Sequence, residues 1–382
     1  MKLRKDIWRE CPIDAVAEEI SIRVDKPSDS GYEKFIGLEH FISGDFSVKN
    51  YGSTADLNSA MKVFKPGNLL FARRNAYLKR ASIVNFEGVC SGDAIVIQQN
   101  GELLSQFLVL ILNTSRFWDY AISNAAGTMS KRVKWRDLAK YQFKLPPKDE
   151  QEKILSLFLT LEKQIEETEA QEGNLLKTKR QILRELFSGK KKFGSYLKPE
   201  NFEKVTFGKL AEHISKRVEP AQTDLEIYTG LEHLDPDNLK IERVGTPADV
   251  KGTKLLIWKG DIIFGKRRAY QRKVAVSHFD GICSAHSMVL RAKEKNINKV
   301  FLPYFMQSDE FMERAVQISE GSLSPTIKWK VLEKQEFEVP KLEYQPILVE
   351  IFESFDKLIS ELRIQKETLK KLKHKLLDEI LG

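Results

Sequence analysis

Two textures alternate along the chain. Residues 1–145 break into short apolar runs, FIGLEHF (35–41), NLLFA (68–72), DAIVIQ (93–98) and QFLVLIL (106–112), separated by Gly, Asn and Ser turns and helical patches. Such runs predict strands in a compact α/β unit. Next comes LPPKDEQEKILSLFLTLEKQIEETEAQEGNLLKTKRQILRELFSGK, in which apolar positions recur at helical spacing. A seven-residue frame puts Ile154, Leu161, Thr168, Leu175 and Ile182 at one seam position and Phe158, Ile165, Glu172, Lys179 and Leu186 at the other. The alternation then repeats, ending in a second helix with Leu348, Phe355, Leu362, Leu369 and Leu376 beside Phe352, Ile359, Lys366, Lys373 and Ile380. These stripes predict long amphipathic helices that seek a partner, each being the natural partner of the other. Proline before each helix (Pro146, Pro147, Pro340) and glycine after each (Gly189, Gly382) mark their ends.

The repetition extends to individual residues. Phe71, Arg74, Tyr77, Gly88 and Cys90 recur as Phe264, Arg267, Tyr270, Gly281 and Cys283, and GLEH at 37–40 recurs at 230–233, all at an offset of 193. Gly127, Lys134, Trp135, Phe143, Pro146 and Gln151 recur as Gly321, Lys328, Trp329, Phe337, Pro340 and Gln345 at 194. A period this long is a duplicated domain, not a solenoid. The pattern therefore predicts an α+β chain: globular units at 1–145 and 190–339, and helices at 146–189 and 340–382. The two homologous α/β units are separated by long helices forming an antiparallel coiled coil with pseudo-twofold symmetry. About 40 residues of helix make a rod of roughly 60 Å.

Charge sharpens this picture. Lys plus Arg number 62 against 54 Asp plus Glu, a net charge of +8 in 382 residues, which points to a polyanionic partner. The positive residues cluster where the halves match. Arg73, Arg74, Lys79 and Arg80 surround Tyr77, and Lys266, Arg267, Arg268, Arg272 and Lys273 surround Tyr270. Cations with an interleaved aromatic suit phosphate contact, and arginine also suits guanine; a solvated loop is the ordinary alternative. A second pair of segments, GTMSKRVKW (127–135) and GSLSPTIKW (321–329), adds Ser130, Lys131, Arg132 and Lys134 in the first half and Ser324, Thr326, Lys328 and Lys330 in the second. Standing before a helix-like stretch, these suit phosphate binding through backbone N–H groups, or plain helix capping with Trp135 and Trp329 in the core.

Other chemistry is thinly represented. Three cysteines, Cys11, Cys90 and Cys283, form no CxxC, so neither a disulfide framework nor a cysteine zinc site is expected, and a reducing cytoplasmic setting fits. Cys90 and Cys283 read as small buried hydrophobes. Each GLEH sets a carboxylate beside an imidazole without further ligands, which favours a structural or base-contacting role over a catalytic or metal site. No P-loop, strand-bound GxGxxG, GxSxG, HExxH or Asn/Asp-Pro-Pro-Tyr is present, and neither a signal peptide nor a membrane span is expected. The residues predict a non-catalytic chain without a bound metal.

The segment LPPKDEQEKI (145–154), leading into a long Lys/Glu/Leu helix, resembles the helical regions of type I restriction-modification specificity subunits, and the resemblance covers essentially the whole chain. The second copy departs from it, since VPKLEYQPI has one proline and Tyr344 stands in place of the glutamate. The resemblance implies two target-recognition domains, each reading half of a split double-stranded DNA target, with the helices setting the gap. It also implies two docked methyltransferase subunits that carry S-adenosylmethionine, a restriction and translocation subunit, and no cofactor on this chain. A stand-alone DNA-binding regulator and a coiled-coil protein scaffold are the rival readings. The polar seam residues Glu172, Lys179, Lys366 and Lys373 either set register or face a partner.

Overall fold

The computed structural model describes residues 3–104, 106–128, 130–187 and 197–382. Gly189, expected to end the first helix, lies outside them. The chain divides into two compact units, Met1–Ala170 with Arg363–Gly382, and Gln171–Leu362. Both divisions fall inside the long helices, which span Lys148–Phe187 and Gln345–Leu381.

In the first unit a four-stranded antiparallel sheet runs in the order Ala17–Ile20, Ala94–Gln99, Leu69–Ala72, Ala81–Ile83. Both of its faces are buried, which is why its inner strands read as unbroken apolar runs. Leu69, Phe71, Ile95 and Ile97 point into a core with the helices, while Leu70, Ala94 and Val96 point into a second core with Ile36, Phe64 and Cys90 of the neighbouring sheet. Period-two alternation of strand side chains sorts them. That neighbouring sheet is mixed, with Lys34–Ile36 parallel to Gly88–Cys90.

The second unit repeats the plan. Its four-stranded sheet has the order Ala211–Ile214, Met288–Ala292, Ile262–Phe264, Val274–Val276, and Tyr228–Thr229 runs parallel to Gly281–Cys283. Ile262, Phe264, Met288 and Leu290 face the helix-side core, and Ile263 and Val289 the other.

One predicted strand is a helix. Within QFLVLIL, Phe107–Ile111 is α-helical and buried on every side, as is Phe301–Gln307 in the second unit. A short run that is apolar all round carries no periodicity with which to tell strand from helix.

The long helices share each unit's core. In the first unit Ile154, Phe158 and Leu161 lie with Leu377 and Leu381, while Glu162 meets Lys373 and Glu169 meets Lys370, so the segments run antiparallel. In the second, Leu183, Leu186 and Phe187 pack with Leu348 and Phe352. The strict seven-residue frame drifts: Leu183, Leu377 and Leu381 are fully buried, where the frame names Ile182, Leu376 and Ile380, which are only partly so. A straight α-helix departs from that frame by about 20° per heptad, nearly one position over four heptads.

The motif at the helix entrances acts as a staple. Gln151 donates to the Pro146 carbonyl (2.9 Å) and accepts from the Leu104 N–H (3.0 Å); Gln345 does the same with Pro340 (2.8 Å) and Asn298 (2.7 Å). Glu150 accepts from Trp8 Nε1 and Arg4, and its pKa is held low by the Arg4 bond. Tyr344 takes the equivalent place, its hydroxyl accepting from Asn201. The change of side chain thus preserves the tie between helix entrance and the unit's leading segment.

Candidate nucleic-acid interface

Each basic loop closes a hairpin. Residues 73–80 join Leu69–Ala72 to Ala81–Ile83, and 265–273 join Ile262–Phe264 to Val274–Val276. Their centres are single 3-10 turns, Ala76–Leu78 and Ala269–Gln271, flanked by non-glycine residues in left-handed conformation: Asn75 and Lys79 (φ 54° and 49°), and Arg268 and Arg272 (φ 58° and 54°). Such backbone is costly for residues with a Cβ and persists only where surrounding bonds fix it. Here it turns Tyr77 and Tyr270 outward, 64% and 56% exposed.

The two basic segments of each half, about 55 residues apart in sequence, form one site. Arg74 bridges to Arg132 across an antiparallel pair, Asn75 N–H donates to the Lys131 carbonyl (3.2 Å), and Arg74 Nε donates to Ser130 Oγ (2.6 Å). In the second unit Arg267 bridges to Thr326, Arg268 N–H donates to the Pro325 carbonyl (2.8 Å), and Arg267 Nη2 donates to Ser324 Oγ (3.0 Å). Arg268 Nη2 reaches the same hydroxyl at 3.4 Å. Gly127 and Gly321, at φ +127° and +108°, open the turns that carry these serines.

The candidate residues divide into those facing outward and those tied into the fold. Lys131, Lys134 and Lys330 are exposed, and Lys328 is exposed but pairs with Glu320 at 2.6 Å. Lys79 is half-buried. Arg80 and Lys273 bind the carbonyls of Leu38 and Leu231 (2.8 and 2.6 Å), clamping each hairpin to a GLEH turn. Arg272 is held by Asp237, Asp309 and the Gln307 carbonyl. Lys266 is half-buried, and desolvation pulls its pKa down. Arg73 Nε is buried without a partner among the described residues.

In each GLEH motif the imidazole closes its own turn and the glutamate stays exposed. His40 Nδ1 accepts from Gly37 N–H (2.8 Å) and His233 Nδ1 from Gly230 N–H (3.0 Å), each imidazole capping its own turn. Burial pushes the Cys90 and Cys283 thiols up to about 12, so neither is a nucleophile near neutrality. The helices following the second basic segments, Trp135–Leu138 and Trp329–Leu332, are single turns, too short to offer a helix-dipole anion site, and both tryptophans are half-buried beside the core. Among the described residues no His, Cys, Asp or Glu cluster suits a metal, and no helix is long and apolar enough to cross a membrane.

Two site residues escaped the sequence reading, Asp93 and His286. Asp93 Oδ1 accepts from Arg132 Nε at 2.7 Å, and that bond, with the charges of Arg132, Arg74 and Arg73, holds its carboxyl below the usual range. His286 Nε2 lies 3.1 Å from Arg267 Nη1. They occupy equivalent positions at the offset of 193, but differ chemically, so a search for shared residues passes over both.

The chain is 27% identical over 191 residues to the EcoDI type I restriction enzyme specificity subunit of Escherichia coli, a match spanning 48% of this chain and 42% of that protein. It is 24% identical over 319 residues to the MjaVIII specificity subunit of Methanocaldococcus jannaschii, spanning 77% and 74%. In fold it is similar to the type I restriction-modification S subunit of M. genitalium (TM-score 0.56, 17% identity, 100% and 98% covered). It is likewise similar to a chain solved in a study of assembly and conformational transition of a type I system (TM-score 0.56, 19% identity, 97% of each chain). The type I restriction modification DNA specificity domain matches twice, over residues 21–178 and 199–373, and the chain belongs to that family.

Proposed function

We propose that this chain is the sequence-reading subunit of a type I restriction-modification complex and performs no chemistry itself. Each unit reads one half of a bipartite double-stranded DNA target through its hairpin and serine-loop site. The long helices set the interval between half-sites and dock two methyltransferase subunits, which carry S-adenosylmethionine; a restriction and translocation subunit completes the assembly. The observation that carries this reading is the joining, in both units, of two separate basic segments into one cationic surface with an exposed tyrosine. Arginine and lysine supply the salt-sensitive phosphate affinity, and arginine forks supply contacts to base edges.

The test is single-molecule sequencing of methylated adenines in cells that carry the chain at its native locus and in cells lacking only this chain. A bipartite motif with a fixed gap, lost with the chain, is the expected result. An unchanged methylome beside an active methyltransferase points to a stand-alone regulator or a protein scaffold.

A further inference from the structure

The two sites share a backbone and differ at its centre. Ser91-Gly92-Asp93 and Ser284-Ala285-His286 form the same turn, each serine Oγ accepting from the N–H two residues on at 3.2 Å. Each turn aims residue 93 or 286 at the equivalent arginine, Arg74 or Arg267, which a serine holds from the other side. Around this common frame the chemistry diverges.

In the first site Asp93 takes two bonds from Arg132, at 2.7 Å from Nε and 3.3 Å from Nη2, and lies 3.7 Å from Arg74 Nη1. The paired bonds fix the Arg132 guanidinium plane, while Arg74 is tied through its Ser130 bond and lies within ion-pair range of Asp93; the remaining N–H groups of both are donors only. An arginine fork held in advance loses less freedom on binding and matches the paired acceptors of guanine, O6 and N7. In the second site Thr326 stands where Arg132 does, so one arginine of the pair is gone. His286 is exposed, and partial desolvation with the neighbouring charges of Arg267, Lys266 and Lys254 holds its pKa below the ordinary value. Since a guanidinium only donates, Nε2 accepts from Arg267 and Nδ1 carries the proton.

We propose that residues 93 and 286 determine which bases the two half-sites prefer. Asp93 acts as the positioning residue for a guanine-reading pair, Arg74 and Arg132, and His286 gives Arg267 a different aim and a mixed donor and acceptor setting. This deepens the reading of the sites as DNA readers and rests on it. It also supplies a physical origin for an asymmetric target on a duplicated fold.

The experiment uses the full chain, purified with whatever subunits accompany it from its native operon, to select from a library of random duplex DNA. Wild-type protein, Asp93→Asn, Asp93→His and His286→Asp are compared by sequencing the bound fraction. Asp93→Asn, nearly isosteric, is expected to lower base discrimination at one or two positions of one half-site by about tenfold or more, leaving the gap and the other half-site intact. His286→Asp should change preference only in the other half-site. Equal weakening at every position, with preferences preserved, overturns the assignment and leaves both residues merely structural; so does an unchanged motif. If Asp93→Asn fails to fold, as a thermal melt would show, His286→Asp carries the test. A wild-type chain that selects no bipartite motif instead sinks the DNA-reading function itself.

Discussion

At the residue scale, exposure and pairing separate cations that sequence treats alike. Lys131 is exposed with no ion pair among the described residues, whereas Lys328 is already matched by Glu320. If both face DNA, removing Lys131 releases a full phosphate contact, and removing Lys328 leaves a carboxylate that had been neutralised. Lys131→Ala is expected to flatten the plot of log affinity against log salt by about one unit, weakening all sequences alike. Lys328→Ala should weaken binding further through the uncovered Glu320. Anisotropy titrations of a labelled duplex over a salt series check this, and a slope equal to wild type for Lys131→Ala would remove that lysine from the phosphate contacts. The basic residues were legible because they recur; Asp93 and His286 were not, because repetition reveals what two halves share and conceals where they differ.

At the element scale, two of the polar seam residues, Lys179 and Lys373, face inward, while Glu172 and Lys366 are only partly buried. Lys373, 2% exposed, bonds Glu162 and the Gly44 carbonyl (2.7 Å) and lies 4.3 Å from the Phe46 ring centre. Lys179, 3% exposed, bonds Asp356 at 2.5 Å above Tyr304, whose hydroxyl donates to the same carboxylate. Each unit thus pairs a buried lysine with a less buried carboxylate on the antiparallel segment, with donor and acceptor exchanging helices. A buried pair costs desolvation and offers register in return, and breaking it costs more than replacing it. Lys373→Met is expected to destabilise the first unit by about 3–5 kcal/mol, because Glu162 loses its partner. Adding Glu162→Leu should recover most of that loss. Urea denaturation monitored by circular dichroism decides, and a double variant no better than the single one would show that packing around Lys373, not its charge, matters. The helices themselves were legible from spacing and from the Pro and Gln at their entrances. Their seam drifted from the seven-residue frame because real helical pitch is longer than that frame, and the buried helix at Phe107–Ile111 was hidden by uniform hydrophobicity.

At the scale of the whole molecule, duplication preserved the layered fold, which was legible, and altered the charges stored inside it, which were not, because pairing depends on contacts far apart in sequence. Asp309 in the second unit is pushed up by burial, but Arg184, Arg272 and Arg180 outweigh that and hold its carboxyl below the usual range. Its counterpart in the first unit is the uncharged Ser115. Partial desolvation lowers the pKa of His213 and, with the charges beside it, of the exposed His286 in the second unit as well. Groups held low stabilise the fold above their unfolded pKa values, near 4 for Asp and 6.5 for His, and lose that contribution as pH falls through the folded value. The first unit has such groups too, Asp93, Glu150 and His374, but burial raises Asp45 and Glu162. A raised carboxyl works in the opposite sense: its contribution is present at low pH and is lost as pH rises through the folded value, so acidification returns stability there. The second unit should therefore open first as pH falls from neutrality toward 3. Pulsed hydrogen exchange with peptide-level mass spectrometry resolves the units, and Asp309→Asn, which removes the ionisation, should shift the opening of Gln171–Leu362 while leaving the other unit's acid response unchanged. Simultaneous opening at one pH, indifferent to Asp309→Asn, would place the acid sensitivity in groups common to both units.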